Sequence, residues 1–114
     1  MEPGGMLAAI NVYGCDKEAL ADSDSIRRFV STVIRAIGMQ ARGPLALDRF
    51  WDGQVEGWAA MQFLETSSIT VHVDARWGRC FVDIFSSQAF DPDDAMAIAV
   101  EHFGGSSTVT VLTR

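Results

Sequence analysis

The sequence predicts a two-layer α/β domain (α+β in class): a mostly antiparallel sheet with two helices on one face, in the order β-α-(β)-β-β-α-β. Three observations predict it. Short stretches of alternating polar and apolar residues recur along the chain. Two other stretches carry apolar residues at helical spacing. Clusters of glycine, proline and aspartate separate them. Two amphipathic helices cannot bury their stripes on each other alone and also cover the strands. The economical arrangement lays both on one face of the sheet and leaves the other for solvent, a ligand or a second subunit.

Leu7 to Tyr13 reads as the first strand, ended by Gly14. Asp22, Ser23, Asp24 and Ser25 then supply capping oxygens and first-turn acids for a helix. Ile26, Phe29, Val30, Val33, Ile34 and Ile37 form its apolar face, Arg27, Arg28, Ser31 and Arg35 take the other sides, and Gly38 stops it. Residues 41–52, holding Pro44 and followed by Gly53, read either as a strand or as an ordered loop. Gly57 to Leu64, Ile69 to Asp74 and Arg79 to Ser87 read as strands, the last two joined by a two-residue Trp77-Gly78 turn. Asp91-Pro92, followed by Asp93 and Asp94, opens a second helix. Met96, Ala99, Val100 and Phe103 are its stripe, and Gly104-Gly105 ends it. Thr108 to Leu112 is the last strand.

Pairing across a Trp77-Gly78 turn sets Arg76 opposite Arg79, Asp74 opposite Phe81, His72 opposite Asp83, Thr70 opposite Phe85, and Ser68 opposite Ser87. Side chains alternate faces along a strand. Ile69, Val71, Val73, Val82 and Ile84 then form the helix-covered face, with Cys80 buried among them. Thr70, His72, Asp74, Asp83 and Ser87 share the open face with Phe81 and Phe85. An aspartate beside a histidine orients the ring and favours its charged form. The plainer reading of His72 and Asp83 is a polar cross-strand pair.

The 114 residues make one domain, 1–114, large enough for a core of its own. The formal net charge is −6, which argues against nucleic-acid binding and against docking to anionic lipid. Neither a membrane-spanning run nor a basic leader region is expected, so the expected compartment is the cytoplasm. The 2 cysteines, Cys15 and Cys80, fit neither a disulfide scaffold nor a zinc site, and no metal is expected. Cys15 reads as a packed turn residue. Met39, Met61 and Met96 read as gap-fillers. His102 reads as complementing the dipole of the second helix. Trp51, Trp58 and Trp77 are many for this length; Trp51 or Trp58 suits either stacking on an adenine or lining a dimer interface.

One ordered set of motifs goes further. Glu65-Thr66-Ser67-Ser68-Ile69-Thr70-Val71-His72, followed by Val82-Asp83-Ile84-Phe85-Ser86-Ser87, resembles the prokaryotic S-adenosylmethionine decarboxylase family. That family carries a serine, a histidine five positions on, and a V-D-I-F-like strand ending in cysteine. Tyr13-Gly14-Cys15-Asp16, Ile37-Gly38-Met39 and Phe90-Asp91-Pro92 extend the likeness over nearly the whole chain, which looks most like a short, divergent branch.

The resemblance implies a self-cleaving proenzyme of polyamine and spermidine biosynthesis. It implies a cut between Thr66 and Ser67 into 1–66 and 67–114, a pyruvoyl group derived from Ser67, and a processing role for His72. A ketone that forms a Schiff base with an amino-acid substrate serves as the electron sink for decarboxylation, the part pyridoxal phosphate plays elsewhere. Such a terminus is expected at the edge of the open face, near His72 and Ser87. S-adenosylmethionine is the implied small-molecule substrate, and a homodimer or higher homo-oligomer the implied assembly, in keeping with a bare face carrying Phe81 and Phe85.

This sequence also departs from the family. The family cysteine that protonates the product falls at Ser87, and an alcohol is a far weaker acid than a thiol. A family serine eight positions before the cleavage serine falls at Ala59, and a histidine just after it at Ser68. Two alternatives therefore stand beside the decarboxylase of S-adenosylmethionine. One is an unprocessed homologue acting as a binding or regulatory subunit. The other is a decarboxylase of another amino acid, such as arginine or ornithine.

Overall fold

The computed structural model describes residues 4–114; the acidic start at Met1, Glu2 and Pro3 lies outside them. Six strands form one antiparallel sheet in the spatial order β2-β3-β4-β5-β1-β6. They are β1 (Met6–Tyr13), β2 (Ala41–Trp51), β3 (Glu56–Leu64), β4 (Ser67–Asp74), β5 (Arg79–Ser86) and β6 (Ser106–Thr113). Three helices, α1 (Lys17–Ala21), α2 (Ser23–Ala36) and α3 (Pro92–Phe103), complete the two layers. Among the described residues, no helix is long and apolar enough to cross a membrane.

The helices form where side-chain oxygens cap them. The Asp22 carboxylate accepts the Asp24 N–H at the start of α2, and the Asp91 carboxylate accepts the Asp93 N–H at the start of α3, with Pro92 at a position that needs no N–H. Gly38, at φ 74°, reverses the chain after α2 in the left-handed region that suits glycine. Ile26, Phe29, Val30, Val33 and Ile34 of α2 are buried as their spacing predicts, and so are Ala99 and Phe103 of α3. Each of these isoleucine, valine and phenylalanine side chains, fully buried, is worth about 1.5–3 kcal/mol. On the sheet, Ile10, Val12, Ile69, Val71, Val73, Cys80, Val82 and Ile84 meet them.

Three features differ from the sequence reading, and one choice it left open is settled. The short helix α1 was not expected; its five residues, capped by Asp16, carry little apolar pattern beyond the buried Leu20. Residues 41–51 settle as a strand, whose ladder is interrupted between Arg42 and Ala46, around Gly43 and Pro44. Proline is tolerated there because β2 is an edge strand.

The β4–β5 turn takes four residues, 75–78, rather than two, so the pairing slides by two positions. His72 lies opposite Phe81, and Thr70, not His72, lies opposite Asp83. A slide of two leaves both faces as expected. Finally, Asp74 is buried instead of exposed. Its carboxylate accepts from the Arg79 Nε at 3.0 Å and from the Trp77 N–H at 3.4 Å, which explains the longer turn. On the other side of β4, Gly57 lets β3 approach opposite Asp74, since a Cβ there would come within 1.7 Å of the Val73 carbonyl oxygen.

Candidate active site at the β3–β4 turn

Strands β3 and β4 are joined by a two-residue turn, Glu65-Thr66, with Leu64 directly opposite Ser67. Thr66 is the only non-glycine residue at positive φ among those described, at 57°. For a β-branched side chain this region is a genuine outlier, and such strain costs about 1–3 kcal/mol. The Thr66 hydroxyl donates to the Glu65 carbonyl at 2.6 Å. The Glu65 N–H donates to the Gln40 carbonyl at 3.2 Å, tying the turn to the approach to β2.

The end of β5 meets this turn. Ser67 and Ser86 are cross-strand partners. The Ser67 hydroxyl donates to Ser86 Oγ at 2.9 Å, and the Gln88 N–H donates to the same oxygen at 2.9 Å. The Ser87 N–H points to the Thr66 carbonyl oxygen at 3.4 Å. Ser67 is 8% exposed and Ser86 0%. The carbonyl before Ser67 and the hydroxyl of Ser67 are thus both held by backbone and side-chain groups of residues 86–88.

This corrects the expected placement. Ser67 shares the helix-covered face with Ile69 and Val71 rather than the open face. His72, an odd number of residues away, projects from the opposite side and is exposed. It lies opposite Ala59 in β3 and lines an open groove of about 270 Å³ together with Asp48, Met61 and Thr70. Ser87 follows β5 as an exposed residue and is not part of the strand. The structure therefore joins Ser67 to Ser86 and Ser87 to the Thr66 carbonyl, and sets His72 apart with Ala59.

Ser86 was missed by the sequence reading. The register carried the signal: with the turn two residues too short, Ser68 falls opposite Ser87 and Ser86 is left without its partner.

Other candidates find structural places. Burial pushes the Cys15 thiol up to about 11 and the Cys80 thiol higher, so neither forms a thiolate near neutrality. The indole of Trp58 donates to the Ala21 carbonyl at 3.1 Å, capping the end of α1. Trp51 remains exposed at the end of β2. His102 does not serve the helix dipole as a cation. Its Nε2 is 2.8 Å from the Ser25 hydroxyl, and burial first, then the Arg28 charge, favours the neutral ring.

Comparison with known proteins agrees with this fold. A family model described as S-adenosylmethionine decarboxylase matches residues 7–114. The crystal structure of the adenosylmethionine decarboxylase from Aquifex aeolicus superposes with a TM-score of 0.80 at 18% identity, covering 100% of this chain and 92% of that one. At that identity the likeness speaks for the fold. No curated protein sequence matches.

Proposed function

This chain belongs to the S-adenosylmethionine decarboxylase family, and we propose that it is a pyruvoyl-dependent decarboxylase made as a proenzyme that cuts itself between Thr66 and Ser67. One observation carries the proposal: a strained Thr66 whose carbonyl faces the Ser87 N–H, followed by a serine whose hydroxyl is held by Ser86. The residues fit the group they are to generate, because residue 67 is a serine, the precursor the chemistry requires.

Cleavage begins when Ser67 Oγ bonds to the Thr66 carbonyl carbon. The C–N bond breaks and nitrogen takes the proton, leaving an ester and an amine. Loss of the Ser67 α-proton expels the Thr66 carboxylate. Water then replaces the nitrogen, which leaves as ammonia, and residue 67 ends as a ketone. When present, that ketone accepts the electron pair released as a substrate carboxylate departs as carbon dioxide. Thr66 supplies strain that the cut relieves, and the Ser87 N–H supports the oxygen as charge develops on it.

Once residue 67 is a chain end, it is no longer bound by the alternation of β4. It can turn toward the open face, where His72 lines its groove. Asp48 in that groove and Asp83 on the same face suit a cationic amino-acid substrate. S-adenosylmethionine, a sulfonium that also carries an amine, is the substrate the family suggests, and polyamine synthesis the setting. The open face, bearing Met61, Phe63, Phe81 and Phe85, is assigned to a second copy of the chain. Free thiols at Cys15 and Cys80 suit a reducing cytoplasm.

A second reading has an observation of its own. His72 lies across the sheet from Ser67 and opposite an alanine, the position of a family serine. An unprocessed relative, acting as a binding subunit, fits that separation.

Intact mass under denaturing conditions divides the two. The proposal expects fragments 1–66 and 67–114, the second reactive toward a carbonyl-trapping reagent, and a single 12.4 kDa species for Ser67→Ala. A parent chain that stays at 12.4 kDa after prolonged incubation rejects the proposal and favours the second reading.

A further inference from the structure

We propose that Ser86 is a positioning residue for self-cleavage, holding the Ser67 hydroxyl in the orientation from which it attacks the Thr66 carbonyl. The inference rests on the processing reading above and adds a residue to which the family likeness gives no role. Ser86 is wholly buried, on the helix-covered face and beside Ile84 in sequence. A hydroxyl in such surroundings costs stability unless it is fully bonded. An alanine would satisfy the packing with no polar atom, so the hydroxyl needs a reason.

The reason lies in what converges on it. Ser86 Oγ accepts both the Ser67 O–H and the Gln88 N–H, each at 2.9 Å. The Gln88 bond fixes the Ser86 rotamer. Ser86 in turn draws the Ser67 proton to itself and leaves the Ser67 oxygen lone pairs free. The next residue, Ser87, offers its N–H to the Thr66 carbonyl oxygen, which is the other reacting group. Three consecutive residues at the end of β5, Ser86 to Gln88, therefore hold nucleophile and electrophile in one geometry.

In the step itself, Ser67 Oγ bonds to the Thr66 carbonyl carbon. The Thr66–Ser67 C–N bond breaks with its electron pair on nitrogen, and the hydroxyl proton ends on that nitrogen. Ser86 gains and loses nothing. It acts by restricting where the Ser67 oxygen sits, and a misplacement on the ångström scale costs up to about 100-fold in rate.

The test follows splitting of the full-length chain by intact mass, with melting temperature recorded for each variant. Ser86→Ala is expected to split about tenfold or more slowly than the parent while keeping a similar melting temperature. Ser86→Thr, which retains the hydroxyl, is expected to split within about threefold of the parent. Hydroxylamine, which cuts esters but not amides, is added in a parallel arm. It is expected to leave Ser86→Ala slow, because the defect precedes the ester.

Ser86→Cys, similar in volume and a poor acceptor, serves if the alanine variant does not fold, and is also expected to be slow. Splitting of Ser86→Ala or Ser86→Cys at the parental rate overturns the inference while the processing reading stands. So does recovery of Ser86→Ala with hydroxylamine, since that puts the defect after the acyl shift. A parent that never splits overturns the processing reading, and this inference with it.

Discussion

Thr66 has a conformation that its side chain disfavours, and the cost is released if the peptide bond after it is broken. Its φ of 57° is maintained by the Leu64–Ser67 pairing on one side and the Ser87 N–H on the other. Glycine would adopt that φ without steric cost, though it adds freedom to the unfolded chain. Thr66→Gly is therefore expected to stabilise the uncleaved chain by at most about 1 kcal/mol, the strain relief outweighing the entropy term. It is also expected to slow self-cleavage several-fold. Urea unfolding of the Ser67→Ala background, where no cutting intervenes, reads the first effect, and intact mass in the Ser67 background reads the second. A variant that is both less stable and faster to split removes strain from the account. The cysteines answer to burial in the same local way. Cys15 is buried, and its thiol, pushed up to about 11, stays protonated.

At the scale of elements, α2 and α3 are clasped through Ser25 and His102, with Phe29 and Phe103 packed around the ring. Burial lowers the His102 pKa; the Ser25 bond opposes it in part, and the Arg28 charge adds a smaller push in the same direction as burial. In the unfolded chain a histidine titrates near about 6.5. Above that value both states hold it neutral and the clasp contributes fully. Below it the unfolded chain takes up a proton that the folded one resists, so stability falls until the folded pKa is reached. Melting temperature is expected to drop between pH 7.5 and 5.5. His102→Gln, which keeps a polar side chain and does not titrate, is expected to flatten that drop by on the order of 1–3 °C. His72 is common to both proteins and cancels in the comparison. An equal slope in the two proteins removes His102 as the cause.

These elements also explain what was legible beforehand. The long periodic face of α2 and the alternation of β4 and β5 identify themselves, because burial selects every third or fourth residue in one and every second in the other. Helix α1 does not, since one buried leucine in five residues makes no period. The β4–β5 register hides in a side-chain bond, Asp74 to Arg79, that no turn dipeptide announces. Ser86 is hidden with it.

Over the whole molecule, the proposed cut after Thr66 would interlock the fragments instead of separating them. Residues 1–66 carry β1, α1, α2, β2 and β3, while residues 67–114 carry β4, β5, α3 and β6. In the sheet, β1 is inserted between β5 and β6, and β3 stays paired with β4. Native conditions are therefore expected to hold both fragments in one particle. That particle has an open face on which Tyr13, Met61, Phe63 and Leu112 are exposed, Phe63 at 63%. Phe81 and Phe85 lie between them on the same face, with Tyr13 edge-on to Phe81. An apolar face of this kind is normally covered. A second copy would meet it with the same aromatic rings, whereas nucleic acid or anionic lipid would meet a chain of net charge −6. Sedimentation equilibrium is expected to give twice 12.4 kDa for the parent, before and after splitting. Phe63→Asp, which puts like charges on both copies of the face, is expected to give a single 12.4 kDa unit with its fold retained by circular dichroism. A parent that sediments at 12.4 kDa leaves the open face, and the His72 groove within it, to solvent and substrate alone.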